Sequence, residues 1–253
     1  VVVKESKESH QLIEELMLLA NKTVAEFVSK QKYKGKPIPF PYRIHDSPDM
    51  ERLEPFTLFA AKFGYKFDLS SPKTISASFN KMLSRTDQNP EHHILHMLGI
   101  RTMAKAVYAT KNIGHYGLAF EHYCHFTSPI RRYPDVQVHR ILLQCLQQKI
   151  TPIADLDEQC VHTSERERKA MEAERDATKY KQVEFMQDYL GEEFDGIISG
   201  VSPFGFWAQT VLQRCEGFIS ILHLPDTDEY KHIEEEYAIV GKRTKKKYQI
   251  GNP

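Results

Sequence analysis

The chain has 253 residues, an apolar share of 41%, a charged share of 27%, and 34 Lys and Arg against 34 Asp and Glu. Such a length allows two ordinary domains or one large one, and the composition is that of a soluble globular protein. The neutral balance gives no argument for nucleic-acid binding, although a basic channel offset by a buried acidic site would leave the same total. No apolar run approaches the roughly eighteen residues of a membrane span, so no membrane partner is expected. The opening VVVKESKESH carries neither an initiator Met nor a signal-peptide pattern, and the sequence reads as cut from a longer one. Cys124, Cys145, Cys160 and Cys215 form no C-x-x-C pair, which points to reduced thiols and a cytoplasmic location.

Leu12, Leu16, Leu19, Ala20, Val24, Phe27 and Val28 recur at helical spacing and predict an amphipathic helix over 9–31, with Glu14 and Glu15 in its early turns. The Pro- and Gly-rich stretch 34–48 predicts an extended connection. Shorter helices are expected near 51–64, 74–84 and 91–104, and 106–120 reads as two strands around a turn at Asn112 to Gly114. Two further helices follow, over 135–148 and over a charge-laced stretch from 155 to 190 that Gly191 ends. Beyond it, apolar and polar residues alternate between glycines at 196, 200, 205 and 217, the pattern of short strands and tight turns. A domain boundary is therefore placed near 191, giving domains 1–190 and 191–253 in an α+β chain. The run KRTKKK, 242–247, is either a solvated loop or a phosphate-contacting patch.

Within HFTSPIRRYPD, 125–135, Ser128 followed by Pro129 fits a helix N-cap with Pro at the first helical position. Arg131 and Arg132 then fall in the first turn, where exposed backbone N–H groups already favour an anion such as phosphate. A capped helix with two solvated arginines is the alternative. His115, His122 and His125 cluster in sequence around Cys124, but with no C-x-x-C pair or H-E-x-x-H spacing a zinc site is not expected.

The segment GHYGLAFEHYCHFTSPIRRYPDVQVHR, 114–140, resembles the signature of the family of ribonuclease II and ribonuclease R. The resemblance continues through IEELMLLANKTVAEF (13–27), PFPYRIHDSP (39–48) and MEAERDATKY (171–180), in the family's order, so it spans nearly the whole chain. PYRIH and GHYGLA fall nearer the ribonuclease R branch. The resemblance implies a hydrolytic, processive 3′-to-5′ exoribonuclease that uses Mg²⁺ and releases nucleoside 5′-monophosphates. It implies that Arg131 contacts the phosphate near the scissile bond, that Glu14 holds the ribose of terminal nucleotides, and that Glu174 lies near the product end of the channel. Thr127, Ser128, Arg132 and Tyr133 belong to the same run and are expected to meet RNA; stacking by Tyr116, Tyr123 or Tyr133 competes with a core role for each.

The chain departs from the family where the metal should bind. Mg²⁺ calls for clustered carboxylates, and the nearest candidates to an Asp cluster, 155–157 (DLD) and 226–228 (DTD), lie in unrelated segments. Mg²⁺ is thus expected to be held mainly by a missing N-terminal half of the same protein, a monomer when intact, and this chain alone is expected to hold no metal and to be inactive. The stretch GIISGVSPFGFWAQ, 196–209, resembles the first strands of an S1 domain, an OB-type barrel, here expected to be partial. Phe204, Phe206, Trp207 and His223 are its expected contacts to single-stranded RNA, with Phe204 and Phe206 inequivalent because only one strand face can meet a ligand. The competing expectation is a non-catalytic single-stranded RNA-binding protein.

Overall fold

The computed structural model describes residues 7–86, 92–224 and 228–253. In chain order these form α1 (Glu8–Ser29), β1 (Lys32–Tyr33), β2 (Lys36–Pro37), β3 (Tyr42–Ile44), α2 (Met50–Ala61), α3 (Pro72–Thr86), α4 (His92–Thr102), β4 (Val107–Ala109), α5 (Tyr133–Leu146) and α6 (Leu156–Met186). Six strands follow: β5 (Gly196–Ser202), β6 (Gly205–Thr210), β7 (Glu216–Ser220), β8 (Tyr230–Ile233), β9 (Ala238–Gly241) and β10 (Lys247–Gln249). Helices first and antiparallel strands last give the expected α+β order. Among the described residues no helix is long and apolar enough to cross a membrane.

The chain divides into two compact units, each built from separated segments: 1–47 with 104–174, and 48–103 with 175–253. In the first unit β3 pairs antiparallel with β4, Tyr42 opposite Ala109. The expected hairpin within 106–120 therefore does not form. Its first strand finds a partner more than sixty residues upstream, Tyr108 opposite Arg43, and Tyr116–Leu118 makes a 3-10 turn instead of a second strand. The connection after α1 carries a β1–β2 hairpin, with Gly35 at φ 78° in its turn. The core gathers Ala25, Val28, Phe40, Tyr42, Tyr108, Val138, Ile141 and Leu156 with Cys124, Cys145 and Cys160. Burial pushes those three thiols up, Cys160 to about 12.

The amphipathic helix expected over 9–31 forms as α1, with Asn21, Ala25 and Val28 buried and Leu12, Leu16 and Leu19 more than half exposed. Helix α5 does not begin at Pro129. A helix begun there would carry Pro134 in its second turn, where it lacks an N–H and its ring meets the carbonyl of residue 130. The chain instead closes a separate turn, Arg131 N and Arg132 N donating to the Ser128 carbonyl at 3.3 and 3.1 Å. The helix then starts with Arg132 as N-cap and Pro134 in its first turn, where no backbone bond is lost.

In the second unit α2, α3 and α4 bury an aromatic cluster, Phe56 stacked on Phe79 at 5.7 Å and edge-on to Phe67 at 5.6 Å. Phe59 meets Tyr237 edge-on at 5.1 Å, and Leu53, Phe56, Phe59 and Leu95 are fully buried. The strands form two sheets, β5-β6-β7 and β10-β9-β8. Ile198 joins them, donating to the Asn252 carbonyl (2.9 Å) and accepting from Gly251 N (2.7 Å). Among the described residues no continuous ladder closes them into a barrel.

Candidate functional site

The loop from Tyr123 to Arg132 is held by two buried polar side chains. Asn21, 3% exposed on α1, donates to the Tyr123 hydroxyl (3.1 Å) and accepts from Phe126 N and Thr127 N (2.9 and 3.2 Å). Asp135, fully buried in the first turn of α5, accepts from Ser128 N (2.7 Å) and from the Arg132 guanidinium (2.8 Å). A buried carboxylate is tolerable only with such partners. Thr127, Ser128 and Arg132 are thus fixed in place and Arg132 is committed to an internal ion pair.

Arg131, one residue earlier, is exposed, and no side-chain hydrogen bond or ion pair to a described residue occupies its guanidinium. Thr127 Oγ1, Arg132 Nε and Asp135 Oδ2 also lack partners among the described residues, which leaves hydrogen-bonding capacity beside the turn. Tyr133, half exposed, lines a shallow cavity of about 290 Å³ with Asp155, Glu158, Gln159, His162 and Thr163.

A second layer stands behind the loop. Arg43 pairs with Glu167 of α6 at 2.6 Å and lies over the Tyr108 ring at 4.7 Å. The Tyr108 hydroxyl bonds His125 Nδ1 at 2.7 Å. Burial, then the charges of Arg132 and Arg43, hold His125 down to about 3. His115 stacks on His45 at 5.1 Å and is held to about 4 by burial, then by His45 and Arg43. These rings serve as neutral packing groups. Among the described residues no three His, Cys, Asp or Glu come together as a metal site would require.

The two acidic candidates are accounted for otherwise. Asp157 lies in the first turn of α6 and accepts from the Thr110 hydroxyl, while Asp155 immediately precedes the helix. Of 226–228 only Asp228 lies within the described residues, and its carboxylate takes Arg243 N, Thr244 N and the Thr244 hydroxyl. Among the described residues, neither acidic run offers the clustered carboxylates that Mg²⁺ would need.

Glu14 and Glu174 stand on exposed stretches of α1 and α6, outside the hydrogen-bonded loop. In the second unit Phe204 sits at the tip of the β5–β6 hairpin, 74% exposed, while Phe206 is 5% exposed and stacks on Tyr248 at 4.9 Å. Phe206 is a core residue and leaves the expected interface. Its neighbour Trp207 takes the outer face, against Phe218 at 5.0 Å. His223 lies exposed in a 3-10 turn after β7, not on a strand. Sequence reasoning missed Asn21, Arg43, Tyr108 and Asp135. The helical spacing of Asn21 with Ala25 and Val28, a polar residue on an apolar face, was the one available signal for it.

Comparison with known proteins places this geometry. Ribonuclease R of Aquifex aeolicus is 40% identical over 248 residues, which cover 96% of this chain and 34% of that enzyme, and ribonuclease R of Escherichia coli is 32% identical over 261 residues, 97% of this chain and 31% of that enzyme. The chain thus spans about a third of the length of these relatives. The structure of Mycoplasma genitalium RNase R in complex with ribose-methylated single-stranded RNA superposes with a TM-score of 0.86 at 28% identity, covering 98% of this chain and 39% of that one. Yeast Ssd1, a pseudonuclease, shares the fold with a TM-score of 0.68 at 22% identity over 95% of this chain and 29% of that one. Residues 1–148 match the RNB domain model, and with these relatives the chain belongs to the RNB family, that of the ribonuclease R enzymes.

Proposed function

We propose that the chain is the RNA-gripping part of a ribonuclease R-type enzyme, a processive 3′-to-5′ exoribonuclease that releases nucleoside 5′-monophosphates. The observation that carries this reading is the contrast between two adjacent arginines: Arg132 is consumed by buried Asp135, whereas Arg131 projects from a turn whose other members are fixed. A preset, uncommitted guanidinium suits a phosphate, which it can grip with two parallel hydrogen bonds.

In this reading Glu14 accepts ribose hydroxyls near the 3′ end, which favours RNA over DNA, and Glu174 acts toward the product end. Residues 191–253 form an S1-type module on domain 1–190, with Phe204 and Trp207 stacking on bases. In this reading the Mg²⁺ that would support hydrolysis would be held by carboxylates not among the described residues, in a cytoplasmic, monomeric enzyme. The lack of a carboxylate cluster among the described residues supports a second reading for the chain taken alone, binding without cleavage.

The test incubates the chain with 5′-labelled single-stranded RNA and Mg²⁺ and resolves it on denaturing and native gels. Intact RNA with a retarded native band is the expected result. Shortening from the 3′ end would place a working metal site within the chain. An unretarded band would remove RNA binding altogether.

A further inference from the structure

We infer that the outer face of the β5-β6-β7 sheet carries a guanine-selective pocket, with Trp207 as platform and Arg101 and Glu216 reading the base edge. The inference rests on the proposal that this face meets single-stranded RNA, and adds base preference to it.

Its origin is a break in the ladder. The β5–β6 register shifts between Ile198 and Gly200, so Ser199 falls in a bulge and is re-aimed. The Ser199 carbonyl accepts from the Arg101 guanidinium at 3.1 Å, and its hydroxyl donates to the Glu216 carboxylate. One bulged residue thereby fixes a cation from α4 and an anion from β7 at the same cavity. That cavity, of about 230 Å³, is lined by Arg101, Ser199, Gly200, Val201, Trp207 and Glu216.

The platform is equally constrained. Gly200 lies opposite Trp207 in the ladder, and a Cβ there would come within 3.1 Å of the indole. Phe218 holds the indole from the other neighbouring strand. Sequence-tolerant stacking needs only an aromatic face. A guanidinium and a carboxylate beside that face add a requirement. Guanine presents acceptors at O6 and N7 to an arginine, and its N1–H and N2–H give a carboxylate two parallel donors. No other RNA base offers a carboxylate two such donors on one edge.

Trp207 is the sole tryptophan, so its emission reports this pocket alone. The experiment titrates the chain with the four 5′-mononucleotides, reading Kd from the emission midpoint because guanine is a strong quencher in its own right. Binding of fluorescein-labelled single-stranded RNA is followed in parallel by anisotropy. Guanosine monophosphate should bind about ten-fold tighter than the others, and Glu216→Gln, which keeps an acceptor for Ser199, should erase that margin. Equal midpoints, or a margin untouched by Glu216→Gln, would overturn the pocket. So would RNA binding in anisotropy that leaves Trp207 emission unchanged, and in each of these cases the RNA reading survives. Failure of any RNA to bind by anisotropy would bring both down.

Discussion

The two compact units bury different chemistry. The first is threaded by polar ties: Asn21 to three points of the 123–127 loop, Asp135 to Ser128 and Arg132, Arg43 to Glu167, and Tyr108 to His125. The second is filled by phenylalanines on α2 and α3, with Thr102 and Ser199 as its buried polar side chains among the described residues. Apolar packing tolerates small displacements, whereas a buried hydrogen-bond network fixes positions and leaves costly orphans when broken. Under the proposed function, the unit that would hold a guanidinium for phosphate uses the network, and the unit that would offer stacking surfaces uses the aromatic core.

Four experiments bear on that contrast. The largest expected effect is in the aromatic core, where Phe59→Ala should cost about 4 kcal/mol in urea denaturation through lost burial and a cavity. A loss under 1 kcal/mol would mean the core collapses easily around the gap. In the polar network Asp135→Ala should cost about 3 kcal/mol, because it strands both Arg132 and Ser128 N. Equal stability of variant and parent would show the network to be decorative.

Acid should act on the first unit next. His115 and His125 are held to about 4 and about 3, well below the roughly 6.5 of a free imidazole. Between about pH 6.5 and 4 the unfolded chain therefore binds more protons than the folded one, and stability rises with pH across that window. After allowance for solvent screening of partly exposed rings, a loss of about 1–2 kcal/mol from pH 7 to pH 5 is expected in melts at matched ionic strength. A flat profile, or one that rises toward acid, would contradict neutral packing roles for the two rings. The smallest stability effect belongs to Arg131→Ala, within about 0.5 kcal/mol of the parent because the side chain is uncommitted. Its effect should emerge in RNA binding, with the slope of log affinity against log salt reduced by about 0.7. An unchanged slope would detach Arg131 from phosphate.

Periodicity made the helices legible: α2, α4, α5 and α6 begin and end within a few residues of the positions expected from apolar spacing and from Gly191. The Ser128–Pro129 pair misled because a local cap signal was weighed without Pro134, whose missing N–H decides where α5 can start. Strand alternation would put Phe204 and Phe206 on one face; they differ because Phe204 lies in the turn before β6 while Phe206 lies within the strand, where Tyr248 supplies its partner. Asn21, Asp135 and the bulge at Ser199 were illegible for a common reason. Each acts through a partner that only the folded chain brings to it: for Asn21 more than a hundred positions away, for Ser199 seventeen away across a register slip, and for Asp135 seven away across a turn whose form no single-residue preference encodes.

The buried cysteines give the molecule an internal clock. Three thiols sit in the core of the first unit and Cys215 is buried in the second, so the native chain offers an alkylating reagent almost nothing to attack. Each modification event must then wait for the surrounding segment to open, and its rate measures how often that segment opens. Mass spectrometry of the alkylated peptides would time the breathing of Cys124, beside the Asn21 tie, separately from that of Cys215.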